Sequence, residues 1–158
     1  MSKKPTVKRG SVHLPFEVML PLIRESLAAG QAVCLSPRGV SMRPLIREGR
    51  DVLTLLPPPA ALKKNDLALF AYGDRYLIHR VVGTTTAGTY NFCGDNAHLP
   101  ERGVAHTDVI AVVSEIKRNG KPVKTAGAAY AAYLAFIRLR RRFSRAAHRL
   151  FHRNRAGG

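Results

Sequence analysis

This sequence predicts a mainly β domain of antiparallel strands, with a short helix ahead of it and a basic amphipathic helix behind it. Two β-rich runs, LALFAY and RYLIHRVVG, flank Gly73-Asp74, which is the spacing and chemistry of a tight hairpin. Apolar residues recur at helical intervals near the two ends of the chain, while the middle is short runs cut by glycine, proline and asparagine. At 158 residues there is room for one core and little for a second.

Residues 1–13 read as a flexible basic arm. In residues 14–30, Met19, Ile23 and Leu27 recur every fourth position and Gly30 supplies a stop, so this is a short amphipathic helix that Pro21 starts or kinks. QAVCL, 31–35, reads as a strand, and DVLTLL, 51–56, as a second that Pro57, Pro58 and Pro59 end. The hairpin over 67–72 and 75–83 follows. TYNFC, 89–93, pairs back onto it across the turn at 84–88. Residues 108–124 form another long strand, folded back at Asn119-Gly120. From about Ala126 the period changes. Ala132, Phe136, Leu139, Phe143, Ala147 and Leu150 make one stripe, and Arg138, Arg141, Arg142, Arg145, Arg149 and Arg153 fill the other faces. The chain thus divides into an arm (1–13), a β domain (14–124) and a basic helical tail (125–158).

The net charge of +16 is unevenly placed. Residues 1–115 hold 14 Lys/Arg against all 10 Asp/Glu, whereas residues 116–158 hold 12 Lys/Arg and no acid. The positive field belongs to the tail, not the body. Cys34 and Cys93 sit alone among apolar neighbours and read as small buried hydrophobes. Without CxxC or paired-His spacing, no metal site is expected. MSKKPTVKRG is not followed by an apolar run, so no signal peptide is expected. AGAAYAAYLAFI, the longest apolar stretch, falls short of the ~20 residues a spanning helix needs.

GVSMRPLIREGRD, 39–51, raises a chemical question: what is Ser41 for? A serine hydroxyl is a weak nucleophile until a base removes its proton. His79 lies inside the RYLIHRVV strand, where histidine is more often structural, although packing would hold its ring in a fixed direction. Asp95, in Gly94-Asp95-Asn96 after the next strand, is either a turn residue or a carboxylate placed to orient that ring.

GVSMRPLIREG, LKKNDLALF, YLIHRVVG and YNFCGDN, in that order and spacing over residues 31–124, resemble the successive boxes of the signal-peptidase and LexA-like serine peptidase superfamily. The resemblance implies the antiparallel β fold of that group and acyl transfer from Ser41. Ile-His-Arg-Val is similar to the run in the endoplasmic-reticulum type, which implies His79 as base in place of Lys63 or Lys64. The implied oxyanion and substrate-binding segment is Gly39, Val40, Ser41 and Met42, with the Ser41 N–H as a donor. Gly39 stands where relatives often carry a hydroxyl, which leaves only backbone there. The implied acid is Asp95, with Glu101 in AHLPE as the alternative.

The expected activity is therefore a serine endopeptidase acting on a leader, signal or propeptide, without cofactor or metal. The expected location is cytoplasmic, or peripheral on the cytoplasmic membrane face through the arginine helix, which is expected to be dispensable for the chemistry. Two other readings stand beside it. One is an inactive peptide-binding module of the same fold. The other is a protein that binds nucleic acid non-specifically through its tail, since residues 1–30 are too short for a sequence-reading helix-turn-helix module.

Overall fold

The computed structural model describes residues 15–153, with side chains as far as residue 143. The expected arm at 1–13 lies outside the described residues, as do the side chains of Arg145, Ala147, Arg149, Leu150 and Arg153. The chain runs α1 (Phe16–Ala28), β1 (Val33–Leu35), β2 (Asp51–Leu56), β3 (Leu67–Tyr72), β4 (Arg75–Thr84), β5 (Tyr90–Cys93), β6 (Glu101–Val104), β7 (Val109–Arg118), β8 (Lys121–Pro122) and α2 (Ala128–Arg153). The strands form one antiparallel sheet in the order β1-β2-β7-β3-β4-β5-β6, with β8 paired to β7. Fold class and both flanking helices are as the sequence predicts.

Strand β3 shows why the middle of the chain folds this way. Leu67 and Leu69 enter one apolar cluster, with Leu53, Leu55, Ile116 and the α1 residues Ile23 and Leu27. Ala68 and Phe70 enter a second, with Val81, Phe92 and Val104. Side chains alternate along a strand, so a continuous apolar run buries both faces. Phe70 stacks on Phe92 at 4.0 Å between ring centres.

Helix α1 begins at Phe16, so Pro21 lies inside it and does not start it. Its end follows the expected stop, with Gly30 at φ 74° donating to the Leu27 carbonyl. Phe16 rests against Tyr76 of β4 at 5.0 Å. Cys93 is buried, but Cys34 is exposed, against expectation. Strand β1 is an edge, and alternation turns Val33 and Leu35 inward and Cys34 outward.

Helix α2 docks on the body by a face the apolar pattern did not mark. Ile137 and Arg141 are buried, and Tyr130 and Tyr133 partly so, at spacings of three and four. The stripe Phe136, Leu139 and Phe143 faces outward, at 58%, 52% and 68% exposure. Among the described residues, no helix is long and apolar enough to cross a membrane.

Candidate active site

The loop between β1 and β2 presents Ser41, and its neighbours fix where the hydroxyl points. Met42, Leu45 and Ile46 are buried in the α1-side cluster and anchor the loop from below. Arg118 of β7 holds it from the side. It grips Asp51 through Nε and Nη2, each at 2.8 Å, and donates to the Leu45 carbonyl at 2.8 Å. Gly39 has φ 89°, a conformation suited to glycine, and its N–H donates to Glu48 Oε2 at 3.0 Å. That N–H is therefore already engaged. Val40 is exposed and its carbonyl accepts from Arg43 N–H and from the Asn96 amide. Met42 turns its sulfur to the Asp95 N–H at 3.4 Å.

His79 sits in the middle of β4, opposite Ala68 of β3 and 4% exposed. Its Nε2 lies 2.9 Å from Ser41 Oγ, and its Nδ1 lies 2.9 Å from Glu101 Oε2. Glu101 opens β6, opposite Phe92 of β5. Burial pushes the Glu101 carboxyl up, but the hydrogen bond from His79, and the attraction of that ring when it is protonated, outweigh it and hold it below its ordinary range. An ionised carboxylate only accepts, so Nδ1 carries the proton and Nε2 is left to accept from the serine. Serine, imidazole and carboxylate thus stand in one line of hydrogen bonds.

Gly94 closes the back of this line. A Cβ there would meet the Ser41 carbonyl oxygen at 2.6 Å and His79 Nε2 at 3.0 Å, so the backbone passes only because the residue has no side chain. The next residues tie the two segments together, with Asn96 N–H donating to the Ser41 carbonyl at 2.7 Å.

Asp95, the first choice for the orienting acid, is not on His79. Strand alternation sends His79 to one face of β4 and Arg80 to the other, and Asp95 follows Arg80. The Arg80 guanidinium forks onto both carboxylate oxygens at 2.8 and 2.6 Å. Tyr133 donates its hydroxyl at 2.8 Å and Arg141 Nη2 adds a contact at 3.2 Å. The carboxylate is 1% exposed. Burial opposes the Arg80 charge, yet Asp95 carries its pKa above the ordinary guanidinium value. Burial also pushes the Tyr133 hydroxyl up, helped by the Asp95 charge, so it stays a donor. Glu101, the alternative acid, occupies the orienting position. Arg80, Tyr133 and Arg141 around Asp95, and the close fit of Gly94, were not anticipated. The only hint was the alternation of His79 and Arg80.

Lys63 and Lys64 lie before β3, and the base position beside Ser41 Oγ is occupied by His79 Nε2. Lys63 N–H donates to Asp66 Oδ2, and Lys64 borders a cavity beside α2. Among the described residues, no group of three or more His, Cys, Asp or Glu side chains could hold a metal ion.

A groove of about 450 Å³ runs up to Ser41. Phe16 and Met19 of α1, Leu35 of β1, Ile46, Leu69 and Ile78 give it an apolar floor. The chain matches no protein-family model, no curated protein and no solved structure.

Proposed function

We propose that this chain is a serine endopeptidase that cleaves an extended leader, signal or propeptide by acyl transfer. The observation that carries the reading is the relay of two 2.9 Å contacts, Ser41 to His79 to Glu101, at the end of an apolar groove. The order and spacing of the four sequence boxes support it as well. Substrate adds as a strand beside β1, an edge of the sheet that also lines the groove, and apolar side chains before the scissile bond settle on its floor.

In this reading Ser41 Oγ attacks the scissile carbonyl as His79 Nε2 takes its proton. Glu101 holds the Nδ1 tautomer and offsets the imidazolium charge. The carbonyl oxygen, now an anion, is met by the Ser41 N–H. The proton then passes to the leaving amine and the acyl-serine forms. Water, deprotonated by the same imidazole, hydrolyses that ester and restores the serine. Val40, at the loop's exposed tip, borders the entering chain, while Met42 supports the loop from within.

The outward stripe of Phe136, Leu139 and Phe143 on an arginine-rich helix supports a second element of the proposal. The protein lies against an anionic membrane surface, on the cytoplasmic side.

An acylating serine-peptidase probe tests the chemistry directly. Peptide mass mapping should place one adduct on Ser41, and both Ser41→Ala and His79→Ala should abolish it. A folded protein that takes no adduct at Ser41 would overturn the enzyme reading in favour of an inactive module of the same fold.

A further inference from the structure

On the other side of Gly94 and Asp95 lies a cavity of about 420 Å³, bordered by α2, β6 and the loop before β3. Among the described residues, five cations line it, Lys64, Arg102, Arg138, Arg141 and Arg142, and no acidic side chain does. The placement is built in. Arg138, Arg141 and Arg142 follow helical spacing of three and four onto one face of α2. Arg102 follows Glu101 in β6, so alternation that turns Glu101 to His79 turns Arg102 the other way.

A second, independent feature points to a missing acceptor. Arg141 is 8% exposed, and its Nε is the one buried side-chain nitrogen or oxygen without a hydrogen-bond partner among the described residues. Its Nη2 is fully used, on the carbonyls of Cys93 and Gly94 at 3.1 and 2.9 Å and on Asp95 Oδ1 at 3.2 Å. Asp95 is in turn shared with Arg80, so two buried guanidinium groups divide one carboxylate. The pair of cations keeps an unbalanced positive charge, and three arginines and a lysine nearby add to it. Gathering like charge around the buried Arg141 is unfavourable unless an anion neutralises it.

We infer that this cavity is a binding site for a phosphate-type anion, either a free phosphate compound or a phospholipid headgroup. Arginine matches a phosphate with parallel N–H donors, and several guanidinium groups meeting at one space suit a multiply charged tetrahedral anion better than a single carboxylate. The site is separate from the Ser41 chemistry and does not depend on it. It does share a wall with it. Arg141 binds the carbonyl of Gly94, the residue packed on Ser41 and His79, so an occupied cavity holds that wall in place.

The test is binding to the full-length protein by titration calorimetry at low salt, with no activity readout. One arm uses inorganic pyrophosphate. The other uses dihexanoyl phosphatidic acid below its aggregation concentration. Arg102→Gln/Arg142→Gln removes two exposed cations from the cavity, and Arg24→Gln/Lys121→Gln removes the same charge elsewhere. The expected result is one saturable site per chain. Its affinity should fall about tenfold or more in the cavity pair and stay within about twofold in the control pair. Tighter pyrophosphate binding identifies a free phosphate as the source, and tighter phosphatidic acid binding identifies a lipid headgroup. No one-to-one binding of either probe, or equal losses in the two pairs, overturns the inference. Circular dichroism melts of both variant pairs, expected to match the parent, separate lost binding from lost fold.

Discussion

At the scale of single residues, two carboxylates that look interchangeable in the sequence have opposite consequences. Glu101→Gln keeps the shape but lets the amide bond either tautomer of His79, so the fold should survive and kcat should fall about 10²–10⁴-fold. Asp95→Asn leaves Arg80 and Arg141 buried against a neutral partner. Removing one member of a buried pair costs about 3–5 kcal/mol, so its main effect should be a large drop in melting temperature. Assays of kcat and of thermal unfolding on both variants check this. A folded, stable and inactive Asp95→Asn beside a fully active Glu101→Gln would reverse the assignment. Acidification gives a further check. The imidazole accepts the serine proton only when neutral, and Glu101 is held ionised to below its ordinary range, so activity should be lost on acidification. A rate that keeps rising to about pH 9–10 would point to a lysine base.

Among the elements, the strands that pair locally were legible and those that depend on distant partners were not. The β3–β4 hairpin and the β4–β5 return carry their own turn residues, so sequence alone places them. Strand β6, ERGV, has no apolar alternation, and only its pairing with β5 makes it a strand. That is why Glu101 could be named but not placed. In α2 the Phe136 stripe is the obvious apolar face, yet the docking face is Tyr130, Tyr133, Ile137 and Arg141. Its polar atoms meet partners far away in sequence: Tyr130 accepts from Arg80, Tyr133 donates to Asp95, and Arg141 Nη2 donates to Asp95 and to the carbonyls beside it. The loop that carries Ser41 makes its own prediction through Asp51. Arg118 holds the Asp51 carboxyl below its ordinary 3.8, with burial opposing and Arg47 assisting. The folded state thus binds fewer protons than the unfolded one just below that value. The stabilisation is complete above about pH 4 and is lost as pH falls through the folded value. Asp51→Asn should lower stability at neutral pH by an amount near the low end of ~3–5 kcal/mol, because Arg118 is partly exposed. It should also flatten the acid end of the curve of melting temperature against pH. A variant whose curve keeps the parent's acid slope would assign that slope to other carboxylates.

For the whole molecule, the charge map separates residues 1–115, at +4, from residues 116–158, at +12, and α2 carries most of the second set. The sequence treats that tail as dispensable, but Tyr133 and Arg141 cap the buried Asp95 and Ile137 is wholly packed, so the helix belongs to the body. Cutting the chain after Lys124 would uncover the Arg80–Asp95 pair, and the truncated protein should be unstable or insoluble. It cannot serve to test membrane contact. Point changes on the outward stripe can. Phe136→Ser/Leu139→Ser/Phe143→Ser touches only exposed side chains, so the melting temperature should stay within a few degrees of the parent. If the stripe enters the interface, the variant loses apolar area worth about 25 cal/mol per Å² while keeping its arginines, each worth about 1 kcal/mol near an anionic surface. Co-sedimentation with phosphatidylglycerol vesicles should then weaken at least about tenfold at physiological salt and recover in part at low salt, where the arginines alone suffice. Vesicle binding that is unchanged at both salt concentrations would place the membrane contact elsewhere on the molecule. A variant that no longer folds would show that the stripe is covered by protein and not by lipid.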